Sequence, residues 1–441
     1  MSASAPVEPD EFESLMAECA PFEVQPHVAV ACSGGADSMA LTLLIAGWAA
    51  ARNGLATALV VDHGLRAESA TEAGEVVRWL SARGIAAVCL SRGAAPLRGN
   101  THAAARDLRY RLMGEWCRKA GVLHLALGHH REDQAETLLA RLVRGSGIDG
   151  LAAMAPVQHA AWGRLVRPLL FVPAARLRAT LAAAGQVHVE DPSNRDPRFQ
   201  RTRLRALIAE MGEQGTARLA ATARRLGRAR ADLDARTCEL LARSSVLKPE
   251  GYAVVSDPAF FGPGSEIALR ALSRLLISIG GRMHPPREAS LERLAVALIA
   301  GGSVAATLAG CRVLRRRGAI LVCREPAAVV DIKPAVGRVE WDGRFRIDVA
   351  HGANCEIRRL GRNGWLQLAA AAPALRASSV PPPVRPSLPA LWRDGRVRCV
   401  PHLGYVDMGD ADLPQVADIY FRPMRPLASP PFAIGGTRPI L

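Results

Sequence analysis

Short apolar runs recur along the first two hundred residues at intervals of about thirty: Val28–Ala31, Ala56–Val61, Ile85–Leu90 and Val122–Leu127. Helix-like segments such as Ser38 to Ala51 separate them. Strands covered on both faces read as near-continuous apolar runs, so this rhythm predicts a parallel sheet clothed in helices. Further on the pattern changes. Thr216 to Arg243 reads as helical and is rich in Ala, Leu and Arg, and Ala268 to Ala300 reads as helical too. Between them Lys248 to Gly264 reads as a loop broken by Gly and Pro. Val313 to Val322 predicts a hairpin with a basic turn, Arg315-Arg316-Arg317-Gly318. A strand-like third region starts with Trp341-Asp342-Gly343-Arg344-Phe345, continues through the basic segment Ile357–Arg362, and is closed by Val397–Val400. The last thirty or so residues are rich in Pro and read as loose. The expected division is a parallel α/β domain over residues 1–215, a helical middle domain with a terminal hairpin over 216–330, and a small α+β domain over 331–441.

A chain of 441 residues is long enough for two or three domains. Apolar content of 49% with 22% charged residues is that of a globular protein. No stretch of about 18 residues is apolar and uncharged, which argues against a membrane span. Met1 to Glu13 is acidic and has no apolar centre, unlike a signal peptide. Nine cysteines without a C-x-x-C pair fit neither a disulfide framework nor a zinc ribbon, and point to a reducing, cytoplasmic setting. Lys and Arg number 56 against 41 Asp and Glu, a net +15. Compositional drift explains Arg in place of Lys but not basic in excess of acidic, so the charge points to a polyanionic partner.

In parallel sheets ligands collect at the carboxyl ends of the strands. The first run ends in Ser33-Gly34-Gly35-Ala36-Asp37-Ser38. Two glycines let the backbone turn its N–H groups toward one point, the next helix adds its positive end, and two hydroxyls add donors, so this is a place for phosphate. Ala36 after the second glycine excludes a Walker loop, which needs Lys-Ser/Thr there, and no third glycine follows to make a dinucleotide fingerprint. The second run ends in Asp62-His63-Gly64-Leu65-Arg66, the fourth in Gly128-His129-His130-Arg131-Glu132-Asp133-Gln134-Ala135-Glu136-Thr137. His129, Asp133 and Glu136 are spaced to share one helical face. Acids at a helix start stabilise the helix itself by roughly 0.3–1 kcal/mol each. Opposite a phosphate loop the same acids also suit a Mg²⁺ carried on nucleotide phosphates, or general-base work.

The S-G-G-x-D-S loop resembles the pyrophosphate-binding loop of the N-type ATP pyrophosphatases, the PP-loop superfamily. Five further segments follow in order: V-D-H-G-L-R (61–66), A-A-R-D-L-R-Y (104–110), R-G-S-G-I-D-G-L (144–151), R-P-L-L (167–170) and E-D-P-S-N-R-D-P-R-F-Q-R-T-R-L-R (190–205). Together with H-H-x-x-D-Q-A-E-T this series resembles the catalytic domain of bacterial tRNA(Ile)-lysidine synthases, over roughly Val28 to Arg205. The chain departs from that pattern at Gly128, where the family usually has Ala, and at Glu132, often Asp. It departs also at Thr202, usually Asn, and at His102, near which Glu is common. The roles of Glu132 and His102 are left open.

The resemblance implies a fold and a chemistry. The fold is an α/β parallel-sheet PP-loop domain followed by a helical middle domain and a small α+β C-terminal domain. The reaction is an ATP-dependent C–N ligation. Free L-lysine joins C2 of the wobble cytidine in the CAU anticodon of tRNA-Ile through an adenylated base, with release of AMP and pyrophosphate. Ser33, Gly34, Gly35, Ala36, Asp37, Ser38, Val61 and Asp62 are expected to hold ATP, and Asp37 also Mg²⁺. Asp37, Arg109, His129, Asp133 and Glu136 are expected at the reacting centre, with Asp133 taking the amine's proton. Arg201, Arg203 and Arg205, in a basic stretch that includes Arg195 and Arg198, are expected on tRNA phosphates. A thiolase-type enzyme on the same fold would need catalytic cysteines, which the spacing does not provide. An amidotransferase-type ligase would need an ammonia source, and a non-catalytic tRNA-binding module would not need the intact Ser33, Asp37, Asp133 and Glu136. The lysine pocket, the discrimination against methionine tRNA and the oligomeric state are not legible.

Overall fold

The computed structural model describes residues 5–62, 69–91, 101–189, 200–256, 265–300, 302–316, 318–352, 354–409 and 414–428. Two compact units emerge, one ending at Asp232 and the other running from Leu233 to Ser429.

The first unit begins with α1 (Pro9–Ala17), followed by β1 (His27–Ala31), α2 (Ala36–Ala50), β2 (Leu55–Asp62), α3 (Ser69–Ser81), β3 (Ala86–Ser91) and α4 (Thr101–Ala120). Then come β4 (His124–Leu127), α5 (Arg131–Leu142), α6 (Ile148–Leu151), β5 (Val157–Ala160), β6 (Gly163–Val166), α7 (Ala174–Ala183), α8 (Gln200–Glu210) and α9 (Gly212–Ser244), within which the boundary between the units falls. The four apolar runs are the parallel strands β1 to β4, and β6 runs parallel beside β4. The sheet order is β3-β2-β1-β4-β6-β5, with β5 antiparallel to β6.

Alternation along the strands decides what each face buries. Val28, Val30, Ala58, Val60 and Ala126 face a core with Met39, Leu41 and Ile45 of α2, Val76 and Leu80 of α3, and Leu177 and Leu181 of α7. Ala29, Leu59, Leu125 and Leu127 face Met113 and Cys117 of α4. Both faces of β1, β2 and β4 are therefore dry through their central residues, which is why these strands lack polar alternation, whereas β3 at the sheet edge is half-exposed. The chain winds outward from β1 through β2 to β3, then returns to place β4 on the other side of β1. That reversal opens a crevice at the carboxyl ends of β1 and β4, where their outgoing loops diverge.

The second unit contains β7 (Ser245–Lys248), β8 (Tyr252–Val255), α10 (Glu266–Gly280), α11 (Glu288–Ile299), β9 (Val304–Leu308), β10 (Cys311–Arg316) and β11 (Ala319–Arg324). After these come β12 (Lys333–Pro334), β13 (Gly337–Trp341), β14 (Phe345–His351), β15 (Glu356–Arg359), α12 (Gly361–Ala371), β16 (Pro389–Arg393), β17 (Arg396–Val400), β18 (Tyr405–Val406) and β19 (Gln415–Phe421). A five-stranded antiparallel sheet, β7-β8-β11-β10-β9, packs on α10 and α11. The expected hairpin is β10–β11, with Arg316 opposite Ala319.

Three expectations are corrected here. The stretch from Lys248 is not a loop throughout: β7 and β8 form a hairpin around Pro249-Glu250-Gly251, with Gly251 at φ +78°. The helical stretch 268–300 is two helices, because Gly281 closes α10 in the left-handed conformation and Pro285-Pro286 follows. The Pro-rich tail is not uniformly loose, since β19 pairs with β14 to complete a three-stranded sheet with β13. The Trp341–Phe345 segment is the tight turn between β13 and β14. There Asp342, buried, receives Arg344 Nε at 2.6 Å and Arg324 Nη2 at 2.8 Å.

Candidate active site

The crevice holds a cavity of about 490 Å³ lined by the phosphate loop, the ends of β1, β2 and β4, one face of α4, and residues of α7 and α8. Ala31 of β1 lies opposite Leu127 of β4 in the sheet, so Cys32-Ser33 and Gly128-His129 leave it side by side. The two outgoing segments touch: a methyl group on Gly128 would sit 3.1 Å from the Asp37 carbonyl oxygen and 3.2 Å from Ser38 Cα.

The loop is held in shape by its own side chains. Ser38 Oγ accepts from the Ser33 N–H at 3.1 Å and donates to the Gly35 carbonyl at 3.0 Å. Gly34 has φ +84°, and a Cβ there would lie 2.6 Å from Val76 Cγ2. Its carbonyl accepts from the Val189 N–H at 2.9 Å. Ser33, Gly35, Ala36, Asp37 and Ser38 line the cavity. Ser38, at 8% exposure, spends its hydroxyl on the loop itself. Val61 also lines the wall, whereas Asp62 accepts from Ser69 Oγ at 2.6 Å. Residues 63–66, expected at the second strand end, and the E-D-P-S-N motif with Arg195 and Arg198 lie outside the described residues, as does the side chain of His102.

Helix α5 starts later than the spacing argument assumes. His130 is its N-cap, in a capping box with Asp133, so His129 precedes the helix and reaches the wall from the turn after β4. His129 does not share a helical face with Asp133 and Glu136. Burial first, and then the charge of Arg167, push the His129 pKa down to about 4, which leaves the ring neutral at pH 7. Its Nδ1 is buried without a hydrogen-bond partner among the described residues. Arg167, from R-P-L-L, is itself buried and donates to the Ala155 carbonyl and to Gln158.

Asp133 and Glu136 are buried and are not on the cavity wall. Arg205 Nε donates to Glu136 Oε2 at 3.1 Å, and Arg205 Nη2 is 3.7 Å from Asp133 Oδ1. Arg205 lines the cavity, Arg203 is exposed, and Arg201 lies on α8 with its side chain outside the described residues. The R-G-S-G-I-D-G-L segment and the residues just after it are pinned from α5: Arg141 donates to the Gly150 carbonyl, and Gln134 exchanges two 2.9 Å hydrogen bonds with the Met154 backbone.

Sequence reasoning missed Arg106, Arg178, His188 and His130. Arg106, Arg109, Tyr110 and Met113 form one face of α4 on the wall, with the Arg106 guanidinium 5.3 Å from the Tyr110 ring centre. The three- and four-residue spacing from Arg109 was the available signal for Arg106. Arg178 and His188 approach through tertiary structure alone.

The wall thus combines backbone donors and arginines with a single carboxylate among its described residues, Asp37. No group of three or more His, Cys, Asp or Glu able to hold a metal occurs among the described residues. One carboxylate with substrate phosphates is the usual protein share of a Mg²⁺ site, so Asp37 fits that ion in the company of a nucleotide. Apolar Leu59, Val61, Met113 and Leu127 complete a pocket with a dry wall and an anion-binding wall.

A PP-loop domain model matches residues 8–211. A tRNA(Ile)-lysidine synthase of Ruegeria pomeroyi is 36% identical over 405 residues, 89% of this chain and 93% of its own length. One from Bradyrhizobium diazoefficiens is 41% identical over 351 residues, 74% of this chain and 96% of its own. Among solved structures, a U34-tRNA thiolase of Methanococcus maripaludis aligns with 49% of this chain and 76% of its own at a TM-score of 0.42 and 14% identity. With relatives matched along most of both chains and the loop, His129 and several arginines meeting in one crevice, this chain belongs to the tRNA(Ile)-lysidine synthase family, ATP-dependent ligases built on a PP-loop domain.

Proposed function

We propose that this chain ligates free L-lysine to C2 of the wobble cytidine in a CAU-anticodon tRNA-Ile, and that the 490 Å³ crevice is where both steps occur. The observation that carries this reading is the meeting of the phosphate loop with Arg106, Arg109 and Arg178 on one wall. The oxygen on C2 is a poor leaving group. Attack of that oxygen on the α-phosphate of ATP expels pyrophosphate and leaves the base adenylated. The lysine side-chain amine then forms the new C2–N bond, and AMP departs with the former base oxygen.

Each step gathers negative charge on phosphate oxygens, and preset donors are the efficient answer to it. Backbone N–H groups of Gly34 to Asp37 and the N-terminus of α2 take the pyrophosphate portion. Arg109, with Arg106 beside it, takes the α-phosphate. Asp37 holds Mg²⁺, which neutralises phosphate charge when bound. Val61, Leu59 and Met113 offer the apolar surface that a purine ring needs. Neutral His129 presents a ring nitrogen as an acceptor at the reacting base. The lysine proton is assigned to Asp133, which with Glu136 is reached from the crevice by way of Arg205 rather than standing on the wall. Arg203, with Arg201, meets tRNA phosphates.

The test is lysine incorporation into a tRNA-Ile transcript with ATP and Mg²⁺, scored together with AMP and pyrophosphate. The expected result is stoichiometric lysine, AMP and pyrophosphate, lost when the wobble cytidine is replaced by uridine. Incorporation that ignores that replacement, or pyrophosphate release without lysine transfer, sinks the reading.

A further inference from the structure

His130 is buried at 8% exposure and faces three carboxylates from two directions. Its Nδ1 lies 2.9 Å from Glu132 Oε2. Its Nε2 lies 3.4 Å from Asp37 Oδ2 and 3.5 Å from Asp133 Oδ2. One ring nitrogen is thus hydrogen-bonded to Glu132, and the other faces the carboxylates of Asp37 and Asp133 together. Glu132 is in turn fixed from a second element, because its Oε2 accepts from the Ala174 N–H at the start of α7 at 3.0 Å. The His130 N–H donates to Asp133 Oδ2 at 3.2 Å, which fixes the backbone from which the ring projects.

We propose that His130 is a positioning residue: its ring, aimed by Glu132, holds the Asp37 carboxylate of the phosphate loop in register with Asp133 at the start of α5. This inference rests on the ATP site proposed above. Two physical consequences support it. Asp37 sits beside the place of a triphosphate, and a free carboxylate there would repel the nucleotide as readily as hold its counter-ion. A ring fixed behind it limits its rotation and keeps it turned toward that counter-ion. The arm length of Glu132 also gains a reason. One carboxylate oxygen reaches both the ring Nδ1 and the α7 amide, tying two helix starts to one ring.

The test is a double-mutant cycle on the full chain, with His130→Gln, Asp37→Asn and the double variant. The readouts are the dissociation constant of ATP with Mg²⁺, the affinity for tRNA and the melting temperature. A residue acting through Asp37 weakens ATP binding by about 10–100-fold, the usual effect of removing the partner of a ligand. The double variant should then bind ATP no worse than the weaker single one, and tRNA affinity should hold in all three. If the two effects multiply, His130 works independently of Asp37 and the inference falls. If His130→Gln binds ATP as the parent does, it falls also. Where His130→Gln shows no cooperative melting, Glu132→Ala replaces it in the cycle. That variant unhooks Nδ1 and should cost about tenfold in ATP affinity, again without adding to Asp37→Asn. Parent-like ATP binding in Glu132→Ala overturns the inference. ATP binding requires neither lysine nor tRNA, so failure of the ligation assay and failure of this cycle are told apart.

Discussion

Arg205 Nε donates to Glu136 Oε2 at 3.1 Å, joining the last arginine of the basic stretch to a buried acid of α5. Its guanidinium, 44% exposed, also lies 3.7 Å from Asp133. An arginine committed to two acids has less charge to offer a phosphate than its exposed neighbour Arg203. Arg203→Ala is therefore expected to weaken tRNA binding and lower the slope of log affinity against log salt by about one. Arg205→Ala is expected to change that slope less and to destabilise the fold by about 1–2 kcal/mol. Full burial would give a larger loss, but water screens the exposed half of this side chain. Salt titrations and denaturant melts check both, and equal slopes in the two variants would refute the division of labour.

Asp133→Asn keeps the shape of the site and removes a charge. Lysine transfer should fall by roughly 10²–10⁴, the usual share of a positioned proton acceptor, while tRNA binds as well as before. Transfer at the parent rate would move the proton acceptor elsewhere, with His129 the next residue to vary.

Asp37→Ala should abolish pyrophosphate release and leave tRNA affinity nearly unchanged, because the loop faces the nucleotide. Removing Mg²⁺ with a chelator should do the same, and adding it back should restore the reaction. Undiminished turnover in the chelated enzyme would remove the metal from the scheme.

Gly34→Ala puts a methyl group 2.6 Å from Val76 Cγ2 on a residue at φ +84°. Strain of about 1–3 kcal/mol is expected at such a position. It should appear as a lower melting temperature together with weakened ATP binding. A variant that binds ATP normally would show that the loop does not need this shape.

The pH dependence of stability should carry the mark of His130. Burial alone would lower its pKa from 6.5, but hydrogen bonds to Asp37 and Glu132 and the charge of Asp133 push it up to about 10. The folded state thus keeps a proton that the unfolded state gives up. Its contribution is fully present below pH 6.5 and is lost as pH rises toward about 10, with a slope approaching 1.4 kcal/mol per unit. Subtracting the profile of His130→Gln from that of the parent should reveal this alkaline slope. Parallel profiles from pH 7 to 10 would mean that the ring is not charged.

What could be read from the chain follows from distance along it. β1, β2 and β4 announce themselves because a strand dry on both faces needs an unbroken apolar run, as in Val28-Ala29-Val30, and the half-exposed edge strand β3 is apolar as well. The phosphate loop is legible because its parts are contiguous. The β7–β8 hairpin is not, since Val246 and Leu247 are exposed and no alternation marks a four-residue edge strand. β19 is masked by prolines on either side, although its pairing with β14 is regular up to a bulge at Val349. Among site residues, Arg109 and Asp37 come with motifs. His130 gains its meaning from Asp37, ninety-three positions earlier, and no periodicity carries that far. The one-face reading of His129 fails because a capping box delays the helix by two residues.

The hydrogen bond from Val189 N–H to the Gly34 carbonyl has a consequence for dissecting this enzyme. The nucleotide cradle is closed by a residue that arrives after the whole sheet has been laid down. Val189 Cγ2 would also lie only 3.2 Å from a Cβ on Gly34, so it packs over the turn as well as bonding to it. A fragment cut after β6 would retain every glycine and serine of the loop yet lack its last wall. If the loop holds ATP as proposed, the smallest piece that recognises nucleotide is expected to reach at least to Val189.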